Sequence, residues 1–100
     1  MNREILIVDD EKDIRLSISD LLLDENYSTR LAANSDEALS ELSKGLPDLI
    51  LLDIWLEGSK LDGLELLNQI HLFYPSIPCI IISGHGNIDI AVKAIKGGAS

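Results

Sequence analysis

Asp9, Asp10, Asp53 and Ser83 are the residues whose types and spacing could do chemistry. Each follows a short apolar run: residues 5–8 lead into Asp9 and Asp10, residues 49–52 into Asp53, and residues 79–82 into Ser83. Adjacent carboxylates repel each other and resist burial. If Asp53 lies beside Asp9 and Asp10, the repulsion of three acids at low dielectric has to be relieved. Protonation, a lysine or a divalent cation would relieve it. An all-oxygen site that keeps some waters suits Mg²⁺. A carboxylate beside such a cation can attack a phosphoryl group and form an aspartyl phosphate. The cation would bridge nucleophile and phosphoryl oxygens and neutralise charge in a loose transition state. A hydroxyl such as that of Ser83 could hydrogen-bond one phosphoryl oxygen.

Whether these residues meet depends on the elements that carry them. The runs 5–8, 49–52 and 79–82 lack period-two alternation and read as strands buried on both faces. Residues 27–33 read as a weaker strand, nearer an edge. Helical spacing between the runs gives one face of Ile14, Ile18, Leu21 and Leu22, and a shorter one of Ala38, Leu39 and Leu42. A third face holds Leu64, Leu67, Ile70 and Phe73, and a fourth Ile88, Ala91, Ala94 and Ile95. Asn34 with Glu37, and Asp62 with Glu65, have capping-box spacing. Gly45 and Gly97 fall where helices should stop, and Lys93 and Lys96 complement the last helix's C-terminal dipole. Pro47 and Pro78 precede strands, where a missing N–H does least harm.

Four strands alternating with four helices predict an α/β fold, a doubly wound parallel sheet with right-handed crossovers. In such a sheet the C-terminal strand ends share one edge, and ligands bind where the strand order reverses. If the first and third strands are neighbours, three carboxylates converge there.

The length of 100 residues suits one domain, burying roughly two thirds of its unfolded surface. With 46% hydrophobic and 25% charged residues the chain reads as globular. Its 17 acidic against 8 basic residues, a net charge of −9, repel nucleic acid and anionic membrane and favour cations or basic partners. Cys79 is the single cysteine, which excludes an intrachain disulfide and fits a reducing cytoplasm. No apolar segment approaches the roughly 18 residues of a membrane span.

The stretches "ILIVDDEKDIR", "DLILLDIW", "LDGLELL" and "IIISGHGNIDIAVKAIKGGA" resemble, in order and over essentially the whole chain, the receiver domain of two-component response regulators. The tail is most similar to regulators of the nitrogen-assimilation type, and "DIWLEGSKLDG" points within that group to NtrX-like proteins. The resemblance implies a flavodoxin-like fold with strand order 2-1-3-4. It implies that Asp53 is the phosphoacceptor, that Asp10 binds Mg²⁺ directly, and that Asp9 acts through water. Trp55 would lend its backbone carbonyl to the metal, and Ser83 would read the phosphoryl group. The implied activity is that of a regulatory switch and not an enzyme, beyond self-catalysed phosphoryl transfer and autodephosphorylation. The implied partners are a sensor histidine kinase and, in the full-length protein, an ATPase domain and a DNA-binding helix-turn-helix. Direct contact of this segment with nucleic acid or membrane is not expected. Edge pairing or strand exchange would allow a homodimer.

Two departures from the family pattern stand out. Residues 56–61 replace the usual Met-Pro after the phosphoacceptor with a longer, proline-free segment, expected to be more mobile. The sequence also stops after the fourth helix, before the fifth strand that carries the family's lysine and switch aromatic. Residues 1–100 are therefore expected to be a truncated receiver, the front of a longer protein, that accepts phosphate poorly.

Plainer readings apply to single residues. Asp9 and Asp10 alone could be strand-end acids, with Asp10 capping the next helix. Asp62 reads as a cap, Cys79 as core, His71 as packing or surface, and His85 as a loop residue between glycines. Three other functions compete. A small-molecule phosphatase would carry a second aspartate at position 55, where Trp55 stands. A receiver-like binder that is never phosphorylated would have lost a pocket acid. A flavodoxin-like cofactor binder would carry Gly, Ser or Thr where Asp9 and Asp10 lie.

Overall fold

Ile5, Leu6, Ile7 and Val8 are all buried, which requires cover on both faces of the strand they form. The computed structural model, which describes residues 3–56 and 58–82, supplies that cover with a helix layer on each side. The elements are β1 (Glu4–Val8), α1 (Lys12–Asp24), β2 (Ser28–Ala32), α2 (Ser35–Lys44), β3 (Leu49–Asp53), α3 (Gly63–Phe73) and β4 (Cys79–Ile82). The sheet order is β2-β1-β3-β4 and every pairing is parallel. This is the order 2-1-3-4 expected above. The expected fourth helix lies outside the described residues.

Parity along the strands sorts the core. Leu6, Val8, Ile50 and Leu52 pack with Ala38 and Leu42 of α2 and Leu66 and Ile70 of α3. Ile5, Ile7, Leu49 and Leu51 pack on the other side with Ile18 and Leu22 of α1. β2 is an edge strand, as its weaker pattern suggested, with Leu31 exposed and Ala32 buried.

Two helix faces differ from expectation. In α1, Leu21 is exposed, and buried Ser19 takes the inward place, its hydroxyl 2.7 Å from that of Thr29 on β2. In α3 the buried residues are Gly63, Leu66 and Ile70, whereas Leu64 and Phe73 are exposed. The segment carries two overlapping apolar stripes. The close approach of Gly63 to β3 selects between them: a Cβ there would lie 2.5 Å from the Asp53 carbonyl oxygen and from the Cα and carbonyl oxygen of Ile54.

The helix ends follow local chemistry. Asp62 and Glu65 form a full capping box. Asn34 Oδ1 accepts the Glu37 N–H at 2.9 Å, but Glu37 reaches one residue further back, accepting the Ala33 N–H at 2.8 Å. α1 ends in a Schellman turn: Tyr27 N–H donates to Leu22 O and Asn26 N–H to Leu23 O, with Asn26 at φ 69°. Arg30 on β2 closes the C-terminal end of α2. Its guanidinium donates to the Glu41 and Gly45 carbonyls and pairs with Glu41 and Glu4 at 2.9 and 3.0 Å. Cys79 packs at the rim of the α2–α3 core, and burial pushes its thiol pKa up. His71 lies on the exposed face of α3.

Candidate functional site

β1 and β3 are neighbours in register, Val8 opposite Leu52, so the residues that follow them leave the sheet side by side. Asp9 and Asp53 continue the parity of Ile5–Ile7 and Leu49–Leu51, on the α1 side of the sheet. Asp9 N–H still joins the ladder, donating to Ala32 O at 3.1 Å. Asp53 is the last residue of β3, opposite Ile82 of β4. One carboxylate oxygen from each of Asp9, Asp10 and Asp53 lies within 4.8 Å of the others.

Asp9 and Asp53 are held by backbone. Asp9 Oδ1 accepts the Glu11 N–H at 2.8 Å, so it is Asp9 and not Asp10 that organises the entry to α1. The N-cap of α1 is Glu11, without a side-chain cap bond, which removes the reading of Asp10 as a cap. Asp53 Oδ1 accepts the Trp55 N–H at 3.0 Å. Asp9 and Asp53 are only 2% and 6% exposed, whereas Asp10 is half-buried.

Burial pushes the Asp53 carboxyl up to about 6, with the Trp55 N–H pulling the other way and the charges of Asp9 and Asp10 adding to the rise. A buried acid facing two others is a poor anion by itself and a good ligand for a hard cation. Three carboxylates gathered at one sheet edge supply the all-oxygen donor chemistry of a hard cation that keeps waters, so the residues present fit Mg²⁺.

The sequence model of the response regulator receiver domain matches residues 5–100. The chain belongs to this receiver family. It is 56% identical over 99 residues to the nitrogen assimilation regulatory protein NtrX of Azorhizobium caulinodans, covering 99% of this chain and 22% of that protein. The crystal structure of the receiver domain of NtrX from Brucella abortus superposes with a TM-score of 0.79 at 51% identity, covering 94% of this chain and 78% of that one. The longer NtrX structure from the same organism gives a TM-score of 0.82 at 50% identity, covering 98% of this chain and 22% of that one. The chain thus spans about a fifth of the length of the curated relatives it matches. No helix among the described residues is long and apolar enough to cross a membrane.

Of the residues singled out in the sequence, the receiver fold brings Asp9, Asp10 and Asp53 together, with Trp55 immediately beside them. Trp55 is 68% exposed. Ser83 and His85 lie outside the described residues.

Arg15, Gly63, Ser35 and Ser59 escaped sequence reasoning. Arg15, one helical turn into α1, donates from Nη1 to the Asp9 carbonyl at 2.7 Å and steadies the β1–α1 turn. Gly63 allows α3 to start against the backbone of Asp53 and Ile54, its N–H donating to Ile54 O at 3.2 Å. Its signal was the Asp62-Gly63 pair, read only as a cap. Ser59 accepts the Ser35 N–H at 2.8 Å, and Ser35 Oγ accepts the Leu61 N–H at 3.1 Å. These bonds tie the segment for which the sequence predicted extra mobility. Partners 24 and 26 residues apart leave no periodic signal.

Proposed function

We propose that this receiver is a phosphorylation-controlled switch in which Asp53 accepts a phosphoryl group from a sensor histidine kinase. The observation that carries the proposal is the convergence of Asp9, Asp10 and Asp53 within 4.8 Å at the C-terminal sheet edge. Asp10 and Asp53 would ligate Mg²⁺ directly, Asp9 through water, and Trp55 through its backbone carbonyl. Bound there, Mg²⁺ supplies charge neutralisation at the acids and at the phosphoryl oxygens.

The chain's own residues do the rest. β3 holds Asp53 rigidly, and the Trp55 N–H fixes one of its carboxylate oxygens. A carboxylate oxygen of Asp53 forms the new O–P bond as the N–P bond of the donor phosphohistidine breaks, and the imidazole leaves with the electron pair. Ser83, the residue after β4 in the sequence, is assigned the hydroxyl that reads the phosphoryl group and shifts a pre-existing equilibrium.

The activity is regulatory: turnover is limited to self-catalysed transfer and autodephosphorylation. The relative named as a nitrogen assimilation regulatory protein supports a role in nitrogen-type regulation; action in the cytoplasm, through ATPase and helix-turn-helix DNA-binding regions of a full-length protein, belongs to the same proposal. With a net charge of −9 the segment itself is assigned no nucleic-acid or membrane contact. A homodimer through the receiver is compatible with this assignment.

The test is phosphoryl transfer from acetyl phosphate or an autophosphorylated sensor kinase to the wild type and to Asp53→Asn. In the full-length regulator, Mg²⁺-dependent, hydroxylamine-labile labelling of the wild type and none of the variant is expected. Equal labelling of both removes the proposal.

A further inference from the structure

We propose that Ser59 and Ser35 form a clasp that positions the β3–α3 loop around the metal site, making Ser59 a positioning residue for Mg²⁺. The inference rests on the metal reading above.

The loop from Ile54 to Gly63 begins and ends at one place, because Gly63 N–H donates to Ile54 O. It is an Ω-loop, with Trp55 at its first turn. Its start is held by the Trp55 N–H on Asp53 Oδ1, and Leu56 and Leu61 pack into the α2–α3 core. Its far side is held by Ser35. The first N–H groups of a helix have no partner inside it. In α2 the side chain of Asn34 satisfies Glu37, while the N–H of Ser35 is satisfied by Ser59 from a loop distant in sequence. Ser35 returns the bond by accepting the Leu61 N–H.

Ser35 is fully buried, so water does not readily replace Ser59. Losing that hydroxyl leaves a buried donor unpaired, and the loop must move to let solvent in. Trp55 lies four residues before Ser59, so movement of the loop moves the carbonyl assigned to the metal. Groups that orient a metal ligand from behind are worth about 10–100-fold in affinity. A clasp that acts through one ligand of several belongs at the lower end.

Linkage supplies a second readout. If the clasp favours Mg²⁺ binding, Mg²⁺ must favour the clasp by the same factor. The amides of Ser35 and Leu61, which are the clasp's donors, should then exchange more slowly when Mg²⁺ is present.

The experiment is a Mg²⁺ titration followed by emission of Trp55, the single tryptophan. It compares wild type, Ser59→Ala, Ser59→Thr and Asn34→Ala. We expect Ser59→Ala to bind Mg²⁺ about tenfold more weakly, and Ser59→Thr, which keeps the hydroxyl, to restore affinity. Asn34→Ala removes the other α2 cap and should lower thermal stability while leaving Mg²⁺ affinity within about twofold. Wild-type exchange at Ser35 and Leu61 should slow with Mg²⁺.

Equal Mg²⁺ affinity in wild type and Ser59→Ala overturns the clasp and leaves the metal reading standing. So does equal weakening by Asn34→Ala. A wild type with no saturable Mg²⁺ response overturns the metal reading and the clasp with it.

Discussion

Gly63 lies so close to Asp53 that a Cβ at position 63 would meet the Asp53 carbonyl oxygen at 2.5 Å. The approach is to backbone, which cannot swing aside as a flexible side chain can. Ala is otherwise the better helix former by about 1 kcal/mol, so helix propensity alone predicts that Gly63→Ala stabilises α3. We expect the opposite, a loss of about 1–3 kcal/mol from forced separation of α3 and β3. Urea denaturation measures it; an unchanged or raised midpoint would show that the contact relaxes freely.

The Asp53 carboxyl, pushed up to about 6 from an ordinary 3.8, gives a pH dependence of defined sign. The folded state holds this proton more tightly than the unfolded state. Its contribution to stability is therefore full below the ordinary value and is lost as pH rises through about 6. Metal-free wild type should lose stability relative to Asp53→Asn across that window. Mg²⁺ has to displace the same proton, so its affinity should fall below the window and level off above it. Thermal denaturation of both proteins at several pH values, with and without Mg²⁺, checks both statements. Parallel pH profiles for wild type and Asp53→Asn would contradict them.

Arg30 ties the outer edge of the sheet to the end of α2. Burial works against its charge, but the hydrogen bonds and charges of Glu41 and Glu4 outweigh it and raise its pKa. Arg30→Met keeps the apolar stem and leaves the Glu41 and Gly45 carbonyls without this donor, at a cost of about 1–3 kcal/mol. Arg30→Lys should recover little, because an ammonium cannot span acceptors that the planar guanidinium fork reaches together. Denaturant midpoints of the two variants decide this; a lysine variant as stable as wild type would reduce the interaction to net charge.

Asn26 holds a left-handed backbone, φ 69°, at the turn that ends α1. Asn26→Ala should lower stability by about 1–2 kcal/mol, because an alanine Cβ clashes in that region without a side chain able to compensate. Asn26→Gly should hold stability or raise it slightly. Chemical denaturation of the pair tests the assignment: an alanine variant equal to the glycine one would mean that the turn changes conformation at little cost.

Much of this molecule was legible as a sequence. Unbroken apolar runs at 5–8 and 49–52 can be satisfied only by strands covered on both sides, and the helical spacing between them supplies the cover. That fixes a parallel α/β sheet, and with it the edge at which Asp9, Asp10 and Asp53 must emerge. The caps at Asn34 and Asp62 were legible for the same reason, since they act within a few residues of themselves.

The tertiary structure decided whatever depends on contacts between distant segments. The face of α3 was ambiguous because Leu64, Leu66 and Leu67 offer two stripes, and the approach of Gly63 to β3 chose between them. Ser19 turned inward in place of Leu21 because Thr29 on β2 offered its hydroxyl a partner. The bonding of Ser35 to Ser59 and Leu61 followed from where the chain returned in space. Local patterning determines elements because hydrophobic burial is periodic along a strand or helix. The convergence of the acidic site is set by the ends of β1 and β3, which meet only after the sheet has formed.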